Sequence, residues 1–332
     1  MTRSTDSERS NSNSVDVSVV VPVFNSERSL TELVERTVEV FSQARLSAEI
    51  ILVDDGSRDS SWLVIKELAA LHTGVVGLSA SRNYGQHNAL LAGIRESRGD
   101  VIVTIDDDLE QRPEEIPRLL AALEDSSLVY GKPAVEVHGF LRNAASKMMK
   151  AAMSATLGRD VSRNVSAFRA FHRDMIPAFA LSVDPFVNLD VLLSWATTAV
   201  AAVDVTMDER AYGTSNYSFR KLLRHALNMI TGYSALPLRL VSSFGFGFAL
   251  LGFGLLAYVA VVALVSGRQV PGFAFIAGAV TLFSGAQLFA LGVLGEYLGR
   301  MHFRSMGRPP FVIRDRIGDR GVANDEQDGP SL

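Results

Sequence analysis

Asp106, Asp107, Asp108 and Glu110 put four carboxylates into five positions, directly after the β-prone run Val101-Ile102-Val103-Thr104-Ile105. Like charges this close raise one another's pKa and repel, so a fold tolerates them chiefly where a cation sits among them. Hard oxygen ligands with no His or Cys nearby favour Mg²⁺ or Mn²⁺ over zinc, and such ions keep open positions for substrate phosphates. The acids alone also fit a solvated turn ahead of a helix, because Pro113, Glu114 and Glu115 make a good helix start.

The elements that must position these acids are legible as an alternation. Val17 to Val23, Glu49 to Val53, Val75 to Ser79 and Val101 to Ile105 are β-branched runs separated by segments of helical periodicity. The pattern predicts an α/β layered domain with a largely parallel sheet. In open sheets of this kind ligands bind beyond the carboxyl ends of the strands, where Asn25, Asp54-Asp55-Gly56-Ser57 and Asp106 to Glu110 all fall. Taken singly, Asp59 reads as a helix N-cap and Gly56 as a turn glycine.

Charge and hydropathy divide the rest of the 332 residues. Through Glu136 there are 13 Lys+Arg against 23 Asp+Glu, whereas His138 to Arg239 holds 12 against 7, which suits a metal site followed by an anion-handling or membrane-facing segment. Leu141, Ala144, Ala145, Met148, Ala152 and Met153 recur at helical spacing, as do Phe219, Leu222, Leu223, Ala226 and Ile230, each set interleaved with basic residues; both helices are candidates for a membrane surface. Val241 to Gly267 and Gln269 to Gly295 carry no charge. Each exceeds the roughly 20 residues needed to cross a bilayer, so two transmembrane helices are expected. Arg220, Lys221, Arg224 and Arg239 precede them, Arg300, Arg304 and Arg308 follow, and Arg268 alone lies between, which puts both soluble flanks in the cytoplasm. Gly278, Gly285, Gly292 and Gly299 form a seven-residue stripe expected to pack the two spans together or to join protomers of a homo-oligomer, with Phe283 facing lipid. The chain has no cysteine, hence no disulfide or thiol chemistry. The Ser/Asn/Thr-rich residues 1–14 are expected to be a disordered tail.

In order, Val19-Val20-Val21-Pro22-Val23-Phe24-Asn25, Ile51-Leu52-Val53-Asp54-Asp55-Gly56-Ser57, Ser81-Arg82-Asn83-Tyr84-Gly85, Asp106 to Glu114 and Arg210-Ala211-Tyr212-Gly213-Thr214-Ser215-Asn216-Tyr217 resemble the family-2 glycosyltransferases. Within that family they look most like the polyprenyl-phosphate sugar transferases. The resemblance implies a GT-A, Rossmann-like nucleotide-sugar domain over 15–215, a juxtamembrane helix over 216–239, two transmembrane helices over 240–300 and a cytoplasmic tail over 301–332. It implies that Pro22, Phe24, Asn25 and Asp54 surround the nucleoside, with Asp55, Arg82, Asp107 and Asn216 in the donor set. Asp106 and Asp108 become the D-x-D pair holding Mg²⁺ or Mn²⁺, with Glu110 a further ligand where the family commonly has Gln. Asn216 replaces the usual Lys near the diphosphate, and Phe24 replaces Tyr. Arg210 would stabilise the leaving diphosphate. Arg142 and Arg169, with Lys132, are the candidate clamps for the acceptor phosphate, and Asp190 is a candidate base or orienting residue. The implied activity is inverting transfer of a sugar from a nucleotide sugar to polyprenyl phosphate at the plasma membrane, for cell-envelope glycan synthesis, with both termini cytoplasmic and no nucleic-acid partner. A polysaccharide synthase is the alternative enzyme, weakened by the lack of a Q-x-x-R-W motif and the small number of spans. A non-catalytic nucleotide-sugar binder would go with a broken metal motif, and this one is intact.

Overall fold

A computed structural model describes residues 15–133, 164–177, 187–208, 236–266 and 272–318. The chain forms two compact units, one holding the sheet together with residues 309–318, the other holding the long apolar helices.

In the first unit, strands β1 (Val17–Val23), β2 (Ala48–Asp54), β3 (Val75–Ala80) and β4 (Val101–Thr104) coincide with the four β-branched runs to within one residue at each end. They are joined by α1 (Leu30–Ala44), α2 (Ser61–Leu71) and α3 (Gln86–Glu96). After α4 (Ile116–Leu123) come β5 (Leu128–Pro133), β6 (Arg169–His172), α5 (Leu189–Ala196) and β7 (Val200–Val205). A last strand, β8 (Ile313–Ile317), follows the apolar helices. The sheet order is β7-β5-β6-β4-β1-β2-β3-β8. Strands β4, β1, β2 and β3 run parallel, β5 and β7 share their direction, and only β6 and β8 among these strands run the other way, so the sheet is largely parallel, as expected, with two antiparallel members.

Every residue of β1 is buried because both faces of the sheet are covered, which is why the run is apolar except for Ser18, whose hydroxyl donates to Glu49 Oε1 at 2.6 Å. Val17, Val19, Val21 and Val23 pack with Leu30, Val34 and Ile65 in one core, and Val20 packs with Leu90, Ile94 and Leu192 in the other. The chain moves outward from β1 to β2 and β3, then returns to place β4 on the other side of β1. The crevice at the ends of β1 and β4 is therefore a topological switch point, the place where open α/β sheets bind ligands.

In the second unit, α6 (Leu236–Ser266) and α7 (Phe273–Ser305) are long and apolar enough to cross a membrane. Their large side chains, such as Phe246, Leu250, Phe253, Leu288 and Phe289, are exposed, as a lipid solvent allows. Phe283 does not simply face lipid: its ring meets Phe248 edge-on at 6.2 Å, and a Cβ on Gly252 would lie 3.2 Å from it. Gly285, Gly292 and Gly299 have no neighbour within 4 Å of where a Cβ would sit, so these glycines do not pack α6 against α7. The predicted surface helices around residues 141–153 and 219–230 lie outside the described residues, as do Arg142, Arg210 and Asn216.

Candidate active site

The site is assembled from the ends of four strands. Beyond β1, Pro22 is buried while Phe24 and Asn25 are exposed, and Asn25 adopts a left-handed φ of 56°. An Asn tolerates that conformation better than most residues. It locks the turn after β2 from both sides: its backbone N donates to Ser57 Oγ at 3.0 Å, and its Oδ1 accepts from Arg58 N at 2.8 Å. Gly56 has φ 70°, and a Cβ there would lie 2.7 Å from the backbone of Arg82 and Asn83. Only glycine lets the β2 turn and the loop after β3 touch.

Neighbouring acids in this wall hold different partners. Asp54 Oδ1 accepts from Ser57 N at 3.0 Å and its Oδ2 from Ser79 Oγ at 3.3 Å, which places its carboxylate along the sheet end. Asp55 instead accepts from the backbone N of Tyr84 (2.7 Å) and Gly85 (2.8 Å), so it ties down the loop carrying Arg82. Burial raises its pKa, with Asp54 adding to the effect and the two amides opposing it. Asp107 likewise turns into the protein, its Oδ2 accepting from Phe24 N at 3.0 Å and Ser26 Oγ at 2.5 Å. Burial raises its pKa, against those two hydrogen bonds. Asp55 and Asp107, both expected in the donor set, thus accept hydrogen bonds from the loops that line the site. Arg82 is exposed, its guanidinium 4.7 Å from the centre of the Tyr84 ring.

Asp106 emerges at the end of β4 between two amides, Gln86 Nε2 on its Oδ1 at 2.7 Å and Gln111 Nε2 on its Oδ2 at 3.3 Å. Neither glutamine was singled out in the sequence, because α3 lies 20 residues away from Asp106 and Gln111 lacks any charge signal. Leu109, buried at 2% exposure, has a left-handed φ of 61°. Holding a leucine there costs on the order of 1–2 kcal/mol, which its burial offsets, and the kink separates Asp108 from Glu110. Glu110 N donates to Asp108 Oδ1 at 3.2 Å. Among the described residues no three acidic or histidine side chains converge as a ready-made metal site.

Below Asp106 lies a buried polar network. Arg169, on β6 beside Thr104, forms an ion pair with Asp190 of α5, its Nε donates to Thr104 Oγ1 at 2.9 Å, and the Tyr130 hydroxyl donates to Asp190 Oδ1 at 3.1 Å. Burial alone would lower the Arg169 pKa, but Asp190, Tyr130 and Asp106 together outweigh it and the guanidinium stays charged. Arg169 was expected to clamp a phosphate and Asp190 to act as a base. Both side chains are buried, at 2% and 5% exposure, and they pair with each other. Lys132 lies on β5 two residues beyond Tyr130, half-buried, on the same face of the strand.

A mixed α/β sheet with acids at its switch-point crevice, followed by two apolar helices, is the GT-A-like architecture of a membrane glycosyltransferase. Residues 18–178 match the family described as Glycosyl transferase family 2. The chain is 36% identical over 317 residues to the undecaprenyl-phosphate 4-deoxy-4-formamido-L-arabinose transferase of Proteus mirabilis, an alignment covering 94% of this chain and 97% of the relative. The protein of the same name from Pseudomonas aeruginosa is 37% identical over 301 residues, covering 90% and 89%. The chain belongs to glycosyl transferase family 2. Among solved structures, the glucosyl-3-phosphoglycerate synthase of Mycobacterium tuberculosis superposes with a TM-score of 0.48 at 22% identity, covering 65% of this chain and 78% of that one.

Proposed function

We propose that the protein transfers a sugar from a nucleotide-sugar donor to undecaprenyl-type polyprenyl phosphate, with inversion, at the cytoplasmic face of the plasma membrane, for cell-envelope glycan synthesis. The observation that carries the reading is the convergence of Phe24, Asn25, Asp54, Arg82, Asp106 and Asp108 on the sheet ends of a chain that also bears an apolar helix pair. The near full-length similarity to undecaprenyl-phosphate transferases supports the lipid acceptor.

The residues present fit a divalent cation bound jointly with substrate. The donor set is all oxygen and Asp106 is held from two sides by amides; an ion that takes one or two carboxylates completes its shell from phosphates. Asp106 and Asp108 would hold it, with Glu110 nearby. Such an ion, Mg²⁺ or Mn²⁺, neutralises charge developing on a leaving diphosphate. Phe24 and Asn25 after β1 and Asp54 at the end of β2 would surround the nucleoside. Arg210 would meet the diphosphate and Arg142 the acceptor phosphate.

An oxygen of the lipid phosphate attacks the anomeric carbon as the bond from that carbon to the diphosphate breaks, and the nucleoside diphosphate leaves with the electron pair. A phosphate monoester with a second pKa of about 6 is already largely ionised at neutral pH, so the attack needs no strong base. This agrees with Asp190 being enclosed rather than facing the crevice. Two crossings return a chain to the side it left, and the pairing of β8 with β3 after the apolar helices supports a hairpin with the sheet and the following strand on one face.

The test is incubation of membranes containing the protein with undecaprenyl phosphate and a panel of nucleotide sugars, including activated 4-deoxy-4-formamido-L-arabinose, followed by mass analysis of the lipid. A glycosylated polyprenyl phosphate is expected with at least one donor, and Asp108→Asn should lower its formation on the order of 100-fold. Absence of product with every donor would sink the reading.

A further inference from the structure

Strand β8 reaches the sheet only after the two apolar helices, yet it borders the donor side of the crevice. Val312 O accepts from Ser81 N at 2.9 Å, at the start of the loop carrying Arg82. The register of β8 against β3 breaks at one point: Asp315 pairs with Ser79 and Ile313 with Ala80, leaving Arg314 as an extra residue. A bulge of this kind re-aims a side chain. Here Arg314 Nη2 donates to Ser79 Oγ at 3.1 Å, while its Nε pairs with the neighbouring Asp315 at 3.0 Å.

Ser79 is fully buried and has one hydroxyl proton. With Arg314 donating to its oxygen, that proton is directed to Asp54 Oδ2, 3.3 Å away. Asp54 Oδ1 is already fixed by Ser57 N. The carboxylate is thus oriented from both sides, and one of the two restraints depends on a residue from beyond the helix pair. A chain of hydrogen bonds ending on a charged donor polarises each member. More than half of the Arg314 side-chain surface, 58%, stays open.

We propose that Arg314 is a positioning residue for the donor nucleoside, acting through Ser79 on Asp54, so that the strand after the apolar helices completes the donor site. The proposal rests on the donor-site reading above. It differs from simple edge anchoring, for which β8 has a separate device: Arg316 Nη2 pairs with Glu96 Oε1 at 2.6 Å, far from Ser79 in the hydrogen-bond network.

The experiment titrates full-length protein in detergent, with Mn²⁺, against UDP, GDP, ADP and CDP, and measures donor KM and kcat on the sugar nucleotide identified by the lipid assay. Arg314→Ala is expected to weaken the diphosphate that the wild type binds by about fivefold to twentyfold, raising donor KM with kcat within about twofold. Arg314→Lys should recover most of the loss, because an ammonium can still donate to Ser79. Ser79→Ala should match Arg314→Ala, and the double variant should be no worse than either alone. Arg316→Ala should change thermal stability and leave nucleotide affinity alone. Wild-type affinity in Arg314→Ala, equal losses in Arg314→Ala and Arg316→Ala, or additive losses in the double variant would each overturn the proposal. Failure of the wild type to bind any of the four diphosphates would instead overturn the donor-site reading, and the proposal with it.

Discussion

Arg169 and Asp190 form an ion pair whose side chains are 2% and 8% exposed, and Thr104 and Tyr130 complete its hydrogen bonding. Removing one partner of such a pair strands a charge where water cannot reach it. Asp190→Ala is therefore expected to destabilise the protein by about 3–5 kcal/mol, whereas Arg169→Met with Asp190→Leu should cost much less, because both charges leave together. Denaturant unfolding of the three proteins checks this, and equal losses would contradict it. The same residue scale shows how far the sequence was legible. Strand-end position marks Asp54, Asp55, Asp106 and Asp107 alike, but adjacent side chains on extended backbone point to opposite sides. Asp55 and Asp107 turn inward because amides 29 and 83 residues away, on Tyr84 and Phe24, are there to receive them. No local pattern carries that information.

Elements meet closely at two turns of the site. The β2 turn touches the loop after β3 at Gly56, where a methyl would fall 2.7 Å from backbone atoms that cannot rotate away. Gly56→Ala should cost about 1–3 kcal/mol in strain and weaken nucleotide binding by moving the Arg82 loop, seen as a higher donor KM at little change in expression. On the other flank, Arg112 next to the acidic loop pairs through Nε with Asp208 at 2.8 Å, and Gln111 bridges to Met207. The pair ties the loop after β4 to the segment leading toward Arg210. The hydrogen bond from Arg112 holds the Asp208 pKa below its ordinary value, so the folded state binds fewer protons there than the unfolded chain. Its contribution is present above the ordinary aspartate value of about 4 and is lost as pH falls through the lower folded value. Asp208→Asn should accordingly lower Tm at about pH 7, and the difference from wild type should shrink as pH falls below the ordinary aspartate value of about 4. A difference that persists in acid would separate the effect from the ion pair.

Across the whole molecule, the proposed hairpin can be tested with a property of the composition. The chain has no cysteine, so single cysteines report one site each. In inside-out vesicles an impermeant maleimide should label Ser7→Cys and Ser331→Cys, and in intact spheroplasts it should label Arg268→Cys alone; labelling of all three from one side would contradict two crossings. The primary structure by itself determined the β1 to β4 strands, the acidic strand ends and the two charge-free runs within the long helices, because each depends on the chemistry of residues close in sequence: β-branching, local charge density and an uninterrupted apolar run. Only the tertiary structure decided which partners each acid holds, that Arg169 and Asp190 pair in the interior, that Phe283 seats on Gly252, and that Ile313–Ile317 is the edge strand of the sheet. That strand reads Ile-Arg-Asp-Arg-Ile, three charges between two isoleucines, a pattern equally suited to an exposed tail. Its partner β3 lies more than 200 residues earlier, and contact over such a separation is set by packing and by the edge left open on the sheet, neither of which is written in a local stretch of chain.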